Sequence, residues 1–565
     1  MKTKYHFLIL SIFFSKVLFS QYTVGTAYGI LDINNVNISI HDNGDIWQNP
    51  GNSAYLYPNN AVPDSLRKSI IFSGGTFMSA LDSLGGIHVA ASIYDKHDYT
   101  TGPLDEHGMT SEIVSNRWDR IFECSQTDIN NYSFLKFSTG IPVPIAFIQP
   151  NIKEWPGIGN PYLASIGMLV DHEMAPFTDY NHDGIYNPVD GDYPCLKGDK
   201  SLFYVINDAG NPHMTGGDKL GVELKILAYA YQSNDFLNNT SFYEIKALNR
   251  SENNYHDYYF SLIVDPDLGC YHDDYVGCVP SKNVGICYNS GSTDYGCMTP
   301  FGINPPILGI CMLRTPNNIG GLPMGMTSFG YFNNTAANNG DIRNYYDFWH
   351  RSHGLWKDGS VITRGGDGTT GIDPTLFTYD GNPNDTTQWS ECHNQTTGSN
   401  IGNDKRFLMT TGPYKLDKNE ELEFDYAVII KNTLPGQMPC PDYNTTIIPL
   451  VDSVQYFYDS VQQKCNPSVV LSIEQSISEA SNHLTIYPNP VLNNEFSISE
   501  NAFKNGVAIL TVIDLNGKEL YRKSVQFSNQ IANIKLDNII LCKGIYLIQV
   551  ERGMQQLHAK LVIEK

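Results

Sequence analysis

At 565 residues the chain is too long for one hydrophobic core, and two to four domains are expected. Its 37 Lys and Arg stand against 59 Asp and Glu, a net charge of −22, which argues against a nucleic-acid or anionic-membrane partner and fits a solvated exterior and cation binding. Thirty-five tyrosines, with 48 glycines and 30 prolines, indicate strands punctuated by turns rather than long helices.

The chain opens with Lys2 and Lys4, an apolar run from Phe7 to Phe14, and the small residue Ser20 before Gln21. That order of charge, apolar run and small-residue cleavage point is a secretory signal peptide, assigned to residues 1–20. The run is far short of the ~20 residues that a membrane span needs, and Lys16 interrupts it. No Cys lies near the cleavage point to accept a lipid, and no other stretch approaches transmembrane length. With three basic residues removed in the leader, the remainder carries −25.

Residues 21–165 read as an N-terminal β-rich region, with runs such as SIIFSGGTFMSAL and GGIHVAASIY between turn clusters. Residues 166–465 read as a β-rich body, with strand-like runs SLFYVIND, ELKILAYAYQ, SFYEIKALNR, YYFSLIVD and LEFDYAVII. Residues 320–410, rich in Gly, Asn, Asp and Thr, read as long loops. One helix is predicted: Pro449 opens it, Val451, Val454, Phe457, Tyr458 and Val461 fall at helical spacing, and Pro467 lies beyond its end. The body is therefore expected to be of β-sandwich type, mainly β, with long loops.

Residues 466–484 form a Ser-rich polar linker. After it, residues 485–565 alternate in short strands, carry a small positive charge, and hold an Asn516-Gly517 pair that signals a tight hairpin turn. This unit resembles the C-terminal sorting domain of proteins exported by the type IX secretion system of Bacteroidetes. The matching residues are Tyr487-Pro488-Asn489-Pro490, Asp514-Leu515-Asn516-Gly517-Lys518, Gly544-Ile545-Tyr546-Leu547-Ile548-Gln549-Val550 and Lys560-Leu561-Val562-Ile563. The resemblance implies an immunoglobulin-like β-sandwich read by the outer-membrane translocon as its partner. It implies a secreted or cell-surface location, and it is an address rather than an activity. The body in turn resembles a group of large secreted Bacteroidetes proteins without assigned chemistry, through residues 179–194, 265–278 and Trp389-Ser390-Glu391.

Eleven cysteines occur, five of them clustered as Cys270, Cys278, Cys287, Cys297 and Cys311. In an exported chain that density reads as disulfides. Zinc is the rival, but no CxxC pair occurs and the spacings are uneven. An odd count leaves at least one thiol unpaired in the monomer, and Cys542 is the candidate as the only Cys of the last domain.

The sharpest chemical motif is DYNHDGIYNPVD. Oxygen ligands fall at loop positions one, three, five, nine and twelve, as Asp179, Asn181, Asp183, Asn187 and Asp190. Gly184 sits at six for the sharp turn, and position seven would offer the Ile185 carbonyl. This is EF-hand spacing for calcium, with Asp at twelve as in dockerin-type loops, and Asp192 as a further oxygen. Pro188 and the Gly191–Pro194 segment exclude flanking helices, so a structural calcium loop between strands is expected. A plain Asx-rich turn is the competing reading. Asp265, Asp267, Asp273 and Asp274 suggest a second calcium set, a solvated loop or, less readily, a glycosidase carboxylate pair. Trp349, Trp356 and Trp389, with Tyr345, Tyr346, Phe348 and His350 nearby, could form a sugar-stacking surface or simply core.

Catalytic signatures are missing: there is no HExxH, no GxSxG elbow and no P-loop, and His172, His213, His350, His353 and His393 are scattered. A site assembled in space from distant residues remains open. The leading expectation is an exported, calcium-stabilised, disulfide-bonded protein that binds a glycan or protein ligand or serves structurally. The alternative is an extracellular hydrolase, glycosidase or peptidase, with a site built from loops at 166–410.

Overall fold

The computed structural model describes residues 22–462 and 484–563, apart from short stretches at 23, 60–65, 95, 139–142 and 394–403 in the first part and 490, 492–494, 500–504, 514–517, 538, 540, 542 and 553–554 in the second. The expected signal peptide, the expected linker up to residue 483, the Asn516-Gly517 pair and Cys542 lie outside the described residues. The chain divides into two units, Met1–Cys465 and Asn466–Lys565, both mainly β.

In the first unit a nine-stranded antiparallel sheet runs in the order Asp274–Val279, Val284–Asn289, Ile307–Arg314, Glu421–Lys431, Thr240–Asn249, Val222–Ala230 and Lys200–Asn207. Thr100–Thr101 and Phe122–Ser125 both pair with that last strand. A six-stranded sheet runs Ser328–Asn333, Lys405–Leu416, Tyr255–Asp265, Ser73–Leu81, Ile87–Ile93 and Lys96–His97. The sheets share one core: Leu224, Ile226, Tyr243 and Val428 from the first meet Phe260, Leu262, Phe407 and Met409 from the second.

The other face of the large sheet is also covered. Leu227, Tyr229, Phe242 and Ile429 pack with Trp118, Ile129 and Val451 from the helices Glu112–Trp118, Gln126–Ser133 and Ile448–Tyr456. Covering both faces explains why VELKILAYA at 222–230 is buried at all nine positions and lacks an exposed polar face. Each buried Leu or Ile there contributes about 1.5–3 kcal/mol. The predicted helix forms with Val451 and Val454 inward, and its continuation Phe457–Val461 lays the Tyr458 hydroxyl on Asp425.

Two expectations change. The region 21–165 does not stand apart from 166–465, because Ser73–Leu81 pairs with Tyr255–Asp265 and Phe122–Ser125 pairs with Lys200–Asn207. Residues 320–410 are not all loop: Tyr345–Ser352 is a helix, capped by Asn344, that puts Phe348 against Phe77, Val89 and Leu408 on the outer face of the six-stranded sheet.

The cysteine cluster is also redrawn. Cys270–Cys297 is a disulfide, and so is Cys392–Cys440; Cys195 is disulfide-bonded as well. Cys278, Cys287 and Cys311 are free and buried, as is Cys124. The first three lie on neighbouring strands, where their registers set them opposite Gly285, Val276 and Val284 rather than opposite one another.

In the second unit the sandwich expected from the resemblance takes the form of one curled seven-stranded antiparallel sheet. Its order is Thr485–Tyr487, Glu495–Ser499, Ile531–Lys535, Glu519–Ser528, Asn505–Ile513, Gly544–Arg552 and Gln555–Ile563. Val491 N–H donates to the Val562 carbonyl of the last strand at 2.7 Å, bringing the two ends of the sheet together around Phe496, Leu510, Phe527, Ile548 and Leu561. Strand Ile531–Lys535 alternates, with Ala532 and Ile534 inward, the pattern of a sheet wet on one side.

Candidate metal centre

The 179–192 loop is closed at its base by two short strands, Phe177–Thr178 and Tyr193–Pro194, which pair antiparallel. Tyr186 anchors it from inside, buried against Phe177, with its hydroxyl donating to the Ile152 carbonyl at 2.5 Å. Asp179 accepts from the backbone N–H of His182 at 2.7 Å and of Gly184 at 2.8 Å. Asp183 accepts from Ile185 N–H at 2.8 Å. Gly184 adopts φ 79°, the left-handed turn for which glycine is suited.

Carboxylate oxygens of Asp179, Asp183 and Asp192 lie within 4.8 Å of one another. Asp192 is buried and ties both ends of the loop, accepting from Tyr180 N–H at 2.8 Å and Asn187 N–H at 2.7 Å. Burial raises its carboxyl above the usual carboxylate range, and the charges of Asp179 and Asp183 add to that. Asp190, expected at position twelve, is instead turned onto the Asn187 amide and is not in the trio. Past the Gly191 turn it is Asp192 whose carboxylate meets Asp179 and Asp183. The donor set is all oxygen, as a hard cation such as calcium requires.

The second acidic set does not assemble as expected. Asp265 and Asp267 meet Asp404, a residue no local pattern near 265 could reveal. Arg406 lies 3.1 Å from both Asp265 and Asp404, and the Tyr94 hydroxyl donates to Asp265 at 2.8 Å. A guanidinium therefore already engages two of these three carboxylates. Asp273 and Asp274 are not in that group; Asp274 is buried and accepts from Leu268 N–H at 2.9 Å. Beside the cluster, Tyr94, Lys96, Asn334, Asp341, Arg343 and Arg406 line a cavity of about 310 Å³.

The tryptophans are mainly core. Trp356 is buried and donates to the Gly368 carbonyl at 3.1 Å, and Trp389 is half-buried and donates to Gly366 at 3.1 Å. Both pack on the Tyr331–Tyr379 pair, while half-buried Trp349 lies on His353 instead. The three indoles therefore do not make one sugar-stacking face.

The scattered histidines do not converge on one another but are each held by neighbouring groups. His213, His350, His353 and His393 each hold a backbone carbonyl, at 2.5 to 2.8 Å. His172 sits between Asp171 at 2.7 Å and Glu223 at 2.9 Å. Ser92, His97 and Asp45 come together, but Ser92 and Asp45 both face the same nitrogen, Nδ1, so the imidazole cannot pass a proton between them. No helix of the described residues is long and apolar enough to cross a membrane.

Residues 485–564 match the family described as secretion system C-terminal sorting domain. No curated protein matches the chain. Among solved structures, a polysaccharide lyase aligns with 60% of this chain and 34% of its own, at 9% identity and a TM-score of 0.16, a likeness too slight to carry an argument. The aligned part thus spans about a third of that lyase. The matched family, the order of the motifs and the closed β-unit agree, and the C-terminal unit is a type IX secretion sorting domain on a chain exported to the cell surface or beyond.

Proposed function

We propose that the exported chain is a calcium-stapled surface protein that works by binding, as an adhesive or structural exterior module, with residues 179–192 as its calcium loop. The observation that carries this reading is the meeting of Asp179, Asp183 and Asp192 within 4.8 Å at the closed base of a hairpin. Three carboxylates so placed repel one another, and a divalent cation turns that repulsion into attraction. The Asn181 side chain, the Ile185 carbonyl and water would bring the oxygen count toward the about six to eight that calcium takes. Extracellular modules hold calcium with dissociation constants on the order of 10⁻⁴–10⁻³ M, so a weak loop suffices outside the cell.

The cavity beside the cluster of Asp265, Asp267 and Asp404, with Lys96 and Arg343 on its lining, supports a ligand bearing carboxylate or other anionic groups. A glycosidase would need a pair of carboxylates there; Asp341 is the one carboxylate among the described lining residues, and nearby Asp265 and Asp404 are both engaged by Arg406.

Thermal unfolding of the purified chain with calcium and with EDTA tests the metal. A higher melting temperature with calcium, and bound calcium by elemental analysis, is expected; no shift and no bound calcium overturns it. A screen of acidic and neutral glycans and peptides against wild type and Arg343→Ala tests the ligand face, with loss of acidic ligands in the variant as the expected result.

A further inference from the structure

Lys405 opens the strand Lys405–Leu416, and Glu391 opens the one-turn helix Glu391–His393. Their side chains are 0% and 3% exposed and in direct contact. Apart from each other, Lys405 Nζ and Glu391 Oε1 have no hydrogen-bond partner among the described residues. The second carboxyl oxygen, Oε2, accepts from Val276 N–H at 2.8 Å. Two rings flank the amine, with Nζ 5.7 Å from the Tyr275 centroid and 5.6 Å from that of Tyr331. Asp274, two residues before Val276 on the same edge strand, is fully buried with Oδ1 unpartnered.

An ion pair fits this place poorly. An ammonium has three N–H donors to satisfy, and here a single carboxylate oxygen meets them. Burying two ions with so few partners is strongly unfavourable. A secondary amide carries no charge, and its carbonyl already has the Val276 N–H.

We propose that Lys405 and Glu391 are joined by an intramolecular isopeptide bond formed within the folded chain. A proton passes from the ammonium to the carboxylate, leaving an amine and a carboxylic acid. Nζ attacks Glu391 Cδ, the Nζ–Cδ bond forms, and the Cδ–Oε1 bond breaks. Oε1 departs as water, carrying its own proton and one from the nitrogen, and Oε2 stays as the amide oxygen. The Val276 N–H is placed to hold the negative charge that builds on Oε2 during attack. No oxidant, cofactor or second substrate enters the balance.

The surroundings favour each step. Burial lowers Lys405 to about 7, so amine is present near neutral pH. Burial raises Asp274 well above the usual carboxylate range, which favours its neutral form. Asp274, buried on the same edge strand with Oδ1 unpartnered, is the group assigned to carry the proton from nitrogen to leaving oxygen. The bond would tie the six-stranded sheet to the segment that holds the edge of the nine-stranded sheet, next to the Cys392–Cys440 disulfide.

Intact-mass spectrometry of the full chain, reduced and denatured, decides the matter. The wild type is expected to be lighter than its sequence by the mass of one water. Peptide mapping should give a branched peptide joining the segments that hold Glu391 and Lys405, with no tryptic cleavage after Lys405. Lys405→Met and Glu391→Ala should show the full mass, and Asp274→Asn the full mass or a mixture while still folded by circular dichroism. A wild-type chain of full mass that trypsin cleaves after Lys405 overturns the proposal, whether or not the variants fold.

Discussion

Trp47 donates its indole N–H to the Tyr243 hydroxyl at 2.8 Å, linking a residue of the N-terminal segment to a strand of the large sheet. The Trp47 backbone also pairs with Gly74 in both directions at 3.0 Å, and Gly74 belongs to the six-stranded sheet. One fully buried side chain thus connects three parts of the unit. Trp47→Phe should cost ~1 kcal/mol for the lost hydrogen bond, and Trp47→Ala ~3–5 kcal/mol for the cavity. Urea unfolding followed by circular dichroism should show the body melting in a single, earlier transition. Separate transitions for 21–165 and 166–465 would contradict the shared sheets.

Asp192 holds two backbone N–H groups as well as its place in the acidic trio. Asp192→Ala should lower stability by ~2–4 kcal/mol even in EDTA, because two hydrogen bonds to a charged group disappear. Asp183→Ala should leave stability in EDTA nearly unchanged and remove the calcium-dependent gain. Calorimetry of both variants with and without calcium separates the roles; equal calcium gains in wild type and Asp183→Ala would rule out this loop as the site.

His172 provides a pH signature. Burial disfavours its imidazolium, but the hydrogen bonds and charges of Glu223 and Asp171 outweigh that and raise its pKa above the ordinary 6.5. A raised folded value means its stabilising contribution is full below the unfolded value and is lost as pH rises through the folded one. Wild-type stability should therefore fall more steeply than that of His172→Gln as pH rises above the ordinary 6.5. Urea midpoints across that range measure the difference, and parallel curves would remove the assignment.

The free thiols make a labelling prediction. Burial pushes Cys311 up to about 12 and holds Cys124, Cys278 and Cys287 higher than an ordinary thiol as well. Iodoacetamide should leave all four unmodified in the native chain and label them after unfolding. Cys270, Cys297, Cys392 and Cys440 should label only after reduction. Peptide mapping reads each site, and native labelling of Cys278 or Cys287 would show that the sheet edge opens.

The sorting unit folds around its own core, distinct from that of the body. Removing residues 485–565 should leave body stability unchanged and stop export at the periplasm. Cell fractionation and melting of the truncated chain check both halves; surface delivery without the unit would separate the address from these residues.

Short-range patterns were legible in the chain itself. The sorting domain could be read because its motifs recur at set spacings within 80 residues. The helix at 448–461 followed from its apolar period, and the acidic loop from ligands that all lie within one hairpin. The mainly β class followed from composition. Partnership across long separations was not legible. Which cysteines pair, the meeting of Asp192 with Asp179 and Asp183, the joining of Asp265 to Asp404, and the contact of Lys405 with Glu391 were decided by strand order and register. A strand's side-chain pattern states that it is buried, but not which strand covers it. Here both main sheets are covered on both faces, so the alternation that would have marked the partners is absent, and only the packed structure supplies them.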